Sequence, residues 1–204
     1  MKILLVLLVI TVNFLFCLSA AANQVQSNTN DKIKLCAVYP HLKDSYWLSI
    51  NFGMTEQAKQ RSIELKVLEA GGYQNTDEQL RQIEQCIHWQ ASAILVGAVN
   101  FEQLNQKLAQ VNQHTPIFAL VNEVATNNIS GRTGVSWYQM GYKAGIFLAE
   151  RHPKGTTTQK IALFLGSETA GWSQITQQGF LEAISNAALE VSITKWGDTG
   201  RDKQ

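Results

Sequence analysis

From residue 33 onward, short apolar runs alternate with stretches whose apolar positions recur every three or four residues. The runs at 33–39, 63–69, 93–98 and 117–121 read as strands, the last opened by Pro116. Helices are predicted over 45–61, capped by Asp44 or Ser45, and over 75–89, where Leu80, Ile83 and Ile87 share a face. Phe101, Leu104, Leu108 and Val111 mark a third helix. A shorter strand over 132–135 precedes a helix over 137–150, on which Gly141, Ala144 and Gly145 offer a small face. The cycle then restarts, with a strand at 160–165, a helix at 172–187 and a strand at 189–194.

Strands separated by helices of this length imply βαβ units and a parallel sheet. Continuous apolar runs such as Ala93-Ile94-Leu95-Val96 fit strands covered on both faces. The restart divides the chain into an α/β lobe over 33–136 and a second, partial lobe over 137–204. Two strands and two helices bury a core of their own poorly, so the expectation is a piece of a longer polypeptide. Residues 197–204 are polar and read as leading nowhere.

The ends and the cysteines add a compartment. Lys2, the apolar stretch 3–18 and the small residues Ala20, Ala21 and Ala22 read as a cleaved secretory signal over 1–22, with a flexible polar leader over 23–32. The expectation is therefore an exported, periplasmic protein. Of 17 basic and 16 acidic residues, the signal carries one basic one, Lys2, so the remainder is balanced. No basic stripe is present, which argues against a nucleic-acid partner. Cys36 and Cys86 stay behind when Cys17 leaves with the signal, and two cysteines in an oxidising compartment suggest one disulfide.

In an open parallel sheet, ligands bind beyond the carboxyl ends of the strands. Aromatic residues gather in those loops: Tyr46, Trp47, Tyr73, Trp137, Tyr138 and Trp172. Each one singly is ordinary packing at a helix start; as a set they suggest a box for a methylated cationic nitrogen held by cation–π attraction. Gly71-Gly72 lacks the spacing of a dinucleotide or P-loop motif and reads as a tight turn. His41, His88, His114 and His152 fall at no metal-ligand spacing, and no nucleophile context is recognisable, so neither a metal, nor a cofactor, nor an enzyme is expected.

Three blocks then carry a resemblance. Leu35-Cys36-Ala37-Val38-Tyr39-Pro40 with Lys43-Asp44-Ser45-Tyr46-Trp47-Leu48-Ser49 form the first, and Lys66-Val67-Leu68-Glu69-Ala70-Gly71-Gly72-Tyr73 with Gln82-Ile83-Glu84-Gln85-Cys86 the second. Gly134-Val135-Ser136-Trp137-Tyr138-Gln139-Met140-Gly141-Tyr142 is the third. Together they resemble the TorT family, whose members sense trimethylamine N-oxide for the sensor kinase TorS. The resemblance implies a type I periplasmic-binding fold, two Rossmann-like lobes with the ligand between them, and a kinase ectodomain as partner. It implies Asp44, Tyr46, Trp47, Tyr73 and Trp137 as ligand contacts; Trp172 stands where relatives also carry glycine and is not carried over. Asp44 is open to two roles, facing the methylammonium end or capping the first helix. A transport receptor for a sugar or methylated amine shares the fold and is the alternative.

Overall fold

The structure, a computed structural model, describes residues 32–199. The expected signal over 1–22, the leader up to residue 31 and residues 200–204 lie outside the described residues. No helix among the described residues is long and apolar enough to cross a membrane.

Five parallel strands, β1 (Lys34–Tyr39), β2 (Glu64–Glu69), β3 (Ala93–Val96), β4 (Ile117–Leu120) and β5 (Gly131–Thr133), form one sheet in the order β2-β1-β3-β4-β5. Alternation along β1 sorts the core. Cys36 and Val38 face α2 (Thr76–His88) and α3 (Asn105–Val111), joining Ile83, Ile94, Val96, Leu108 and Ile117. Ala37 and Tyr39 face the other way, against Trp47, Ile50 and Met54 of α1 (Ser45–Gln60). The sheet is thus covered on both faces, and this is the physical reason for its unbroken apolar strands. Cys36 on β1 and Cys86 near the end of α2 form a disulfide, with Cα atoms 5.7 Å apart and both residues fully buried.

Helix α4 (Trp137–Ala149) leads to a second, two-stranded parallel sheet of β6 (Gln159–Leu165) and β7 (Leu189–Trp196), linked by α5 (Gly171–Ile184). Helices α4 and α5 pack with their backbones in contact. A Cβ on Gly141 would strike the Thr176 carbonyl, one on Gly145 the Phe180 carbonyl and Ala183, and one on Gly179 the Tyr138 carbonyl. The small face is therefore Gly141 and Gly145; Ala144, expected with them, is exposed.

Two boundaries differ from the reading of the pattern. The third helix begins only at Asn105, because the Asn100 side chain accepts from the Glu102 and Gln103 amides and holds that stretch in a turn. Phe101 consequently leaves the helix face and reaches the second lobe, where its amide donates to the Thr169 carbonyl and its ring lies against Gly171. Strand β4 stops at Leu120 because Val121 adopts φ 62°, a left-handed backbone that strains a β-branched residue.

Candidate functional site

The strand order reverses direction between β1 and β3, so the loops after these two strands diverge and leave a crevice at the sheet's carboxyl edge. Four loops and the two helix starts of the second lobe meet there. Asp44 is the N-cap of α1: its carboxylate accepts from the Trp47 amide at 3.0 Å. Of the two roles open to it, capping is the one the geometry supplies.

Tyr46 and Trp47 leave α1 on different sides. Tyr46 is exposed and packs edge-on to Trp47, with its ring centroid 6.4 Å from that of Trp137. Trp47 is only 2% exposed; it lies against Tyr39 at 5.3 Å and fills the space a Cβ on Gly97 would need. Its indole N–H donates to the Tyr73 phenol oxygen at 3.4 Å. Burial pushes the neighbouring Tyr39 phenol up to about 12.

Tyr73 follows a turn in which Gly71 and Gly72 have φ values of 85° and 152°, conformations that glycine adopts without strain. The turn presses Tyr73 inward to 3% exposure. Asn122, just past the strained Val121, donates to the same phenol oxygen at 3.3 Å and to the Ala98 carbonyl at 2.7 Å. Trp137, first residue of α4, donates its indole N–H to the Val121 carbonyl at 2.7 Å. Trp172, second residue of α5, packs against Trp137 at 5.3 Å and Tyr73 at 6.2 Å. So Tyr46, Trp47, Tyr73 and Trp137 converge as one aromatic cluster, joined by Trp172 from the second lobe. Tyr138 does not join them; it stacks on Tyr142 along α4.

A cavity of about 430 Å³ adjoins the cluster across the lobe junction. Its lining includes Tyr73 and Asn100 from the first lobe and Ser167, Thr169, Trp196 and Asp198 from the second. Strand β7 runs on to Trp196, and the stretch read as a polar end is structural here: Thr199 Oγ1 lies 2.6 Å from His41 Nε2. His41 is fully buried, edge-on to Tyr73 and 3.7 Å from Asp44. Nothing in its sequence context marks this histidine, since the partners come from distant chain positions. Among the described residues, no cluster of three or more His, Cys, Asp or Glu is placed to hold a metal.

Burial lowers the His41 pKa from its ordinary 6.5, outweighing Asp44, Asp198 and Glu69, which raise it, while Lys43 lowers it further. The unfolded chain therefore takes up a proton that the folded chain refuses. Stability should be full above about pH 6.5 and should fall as the pH drops from there toward the lowered folded value. Thermal melts at about pH 7.5 and about pH 5 should show a larger loss for this chain than for His41→Gln. Equal losses would place the acid sensitivity elsewhere.

Residues 32–201 match the family model of periplasmic binding proteins and sugar binding domain of LacI family. The chain belongs to that family. Its members are binding proteins rather than enzymes. Over 168 residues the chain is 41% identical to Periplasmic protein TorT of Escherichia coli K12, covering 81% of this chain and 47% of that protein. Among solved structures, it matches the complex of the TorS sensor domain with TorT in the presence of TMAO (trimethylamine N-oxide). There the identity is 44% and the TM-score 0.67, over 81% of this chain and 56% of the other. An ABC transporter solute binding protein from Bradyrhizobium sp. BTAi1 with bound bis-tris is 34% identical, with a TM-score of 0.64, over 85% of this chain and 52% of that one. The chain spans about half the length of the curated relatives it matches. The type I periplasmic-binding fold read from the sequence, with its second lobe incomplete, is thus the fold of this family member: a five-stranded parallel sheet in the first lobe and a two-stranded one in the second.

Proposed function

We propose that this chain is a periplasmic receptor in which trimethylamine N-oxide sits between the lobes, and that the occupied receptor signals through the sensor domain of a TorS-like histidine kinase. In this reading residues 33–136 supply one lobe and residues 137–204 part of the other. The observation that carries it is the convergence of Tyr46, Trp47, Tyr73 and Trp137 at one sheet edge, from helix starts and loops up to 91 positions apart. Aromatic faces attract a methylated nitrogen bearing positive charge, by roughly 0.5–2 kcal/mol per face. The similarity to TorT, and to the complex of the TorS sensor domain with TorT in the presence of TMAO, supports both the ligand and the partner. Occupancy would bias lobe closure, and with it the surface offered to the kinase.

Calorimetric titration tests the ligand. The N-oxide should bind, and uncharged tert-butanol of the same shape should bind far more weakly. Trp137→Ala should weaken N-oxide binding by about tenfold, the loss of roughly 1.4 kcal/mol from one aromatic face. Equal binding of the two ligands would remove the cation–π account. A second reading, a solute receptor for a transporter, is supported by the similarity to the Bradyrhizobium protein. Capture by a purified TorS-like sensor domain separates the two.

A further inference from the structure

Three indole N–H groups stand in the aromatic cluster, and two are already committed. Trp47 donates to the Tyr73 phenol, and Trp137 donates to the Val121 carbonyl. The third, Trp172 Nε1, is buried and makes no hydrogen bond among the described residues. A buried donor left without an acceptor is costly, and such groups are rare unless they serve something.

Its neighbour has the matching deficiency. The Tyr73 oxygen receives the Trp47 indole and the Asn122 amide, which uses both of its lone pairs. Burial pushes the Tyr73 phenol up, and the Asn122 and Trp47 donors oppose it; the Trp172 indole lies near enough to the same oxygen to add to them, yet does not reach hydrogen-bond geometry with it. The phenol's own proton meets no acceptor among the described residues. Two buried donors, one from each lobe, therefore meet with nothing to accept from them. On one side Ala70, Val99 and Ala170 pack around the pair, with the Trp172 ring against Tyr73 and Trp137; on the other lies the cavity lined by Asn100, Ser167 and Thr169. A site of this kind calls for a compact, strong acceptor carried on a greasy body.

We propose that Trp172 is a specificity residue of this receptor: its indole N–H and the Tyr73 O–H together bind the oxygen of the ligand. The inference rests on the reading of the chain as an N-oxide receptor and assigns the oxygen subsite within it. An N-oxide oxygen carries a full formal negative charge and accepts two hydrogen bonds readily. The methyl groups then remain for the faces of Tyr46 and Trp137. Because the two donors belong to different lobes, the bound oxygen draws the lobes together.

The discriminating variant is Trp172→Phe, which keeps a ring against Trp137 and removes only the donor. The probes are trimethylamine N-oxide and tetramethylammonium, in which a methyl group replaces the oxide. Titration calorimetry on this chain should show the variant binding the N-oxide at least tenfold more weakly, with tetramethylammonium binding changed by less than about twofold. A site built to hydrogen-bond an oxygen loses that much discrimination when a donor goes. Tyr73→Phe reads the other donor and should produce the same selective loss, so the question stays decidable if one variant folds poorly. Wild-type N-oxide binding with unaltered discrimination in both variants would overturn this inference alone. Failure of the wild-type chain to bind either probe would overturn the receptor reading and this inference with it.

Discussion

Trp47→Ala should destabilise the chain by about 3–5 kcal/mol, the cost of deleting a large ring from a closed core. Trp47 is 2% exposed, contacts Tyr39, and fills the space above Gly97 that any side chain there would claim. Its removal also takes away one of the two hydrogen bonds that the buried Tyr73 oxygen accepts. Urea denaturation should show a large drop in midpoint. Trp89→Ala is the comparison: Trp89 is half-buried at the end of α2 and carries Lys66 4.5 Å and Lys34 5.5 Å from its ring, so its loss should cost about 1 kcal/mol. Similar midpoints for the two variants would mean that Trp47 is not the keystone its packing makes it. The result also decides how binding is measured. Truncating Trp47 mixes fold loss with ligand loss, whereas Trp137, half-buried at a helix start, reports more cleanly on the ligand.

Removing the disulfide should cost nearly as much. Cys36 and Cys86 close a loop of 50 residues, for which the chain-entropy account gives about 4 kcal/mol. The double variant Cys36→Ala/Cys86→Ala is preferable to serine, because both positions are fully buried and a hydroxyl there would lack partners. Its urea midpoint should fall sharply, and reduction of the unaltered chain should reproduce the fall. Thiol labelling of the unfolded, unreduced chain should find neither cysteine reactive. Two reactive thiols, or an unmoved midpoint in the double variant, would show that the bond contributes nothing.

Much of this architecture was legible from periodicity. Continuous apolar strands sit in a sheet covered on both faces, and the three-and-four spacing of Leu80, Ile83 and Ile87 puts these residues against the core on α2. The aromatic cluster was legible for a topological reason: parallel strands send their carboxyl ends, and the residues after them, to one edge. Local polar chemistry was harder to see. Asn100 can cap a turn or sit in a helix, and only its side-chain bonds to Glu102 and Gln103 decide that Phe101 faces the other lobe. The strained Val121, and the Asn122 amide that follows it, depend on where distant chain segments end up. The same holds for His41 and Thr199, which lie 158 positions apart and share a hydrogen bond.

The glycine contact between α4 and α5 gives the second lobe a mechanical property. Side chains act as compliant spacers between helices, and Gly141, Gly145 and Gly179 remove them, leaving main chain against main chain. Trp137 and Trp172 stand at the heads of these two helices, with their rings 5.3 Å apart. At the far end, roughly 20 Å away for a helix of 13 residues, the His152 carbonyl accepts from the Ala188 amide and Pro153 bridges to Ala187. A stiff pair clamped at one end and tipped with two tryptophans at the other is a lever. With no side chains to give way at these contacts, a shift of either ring moves both helices together rather than one past the other.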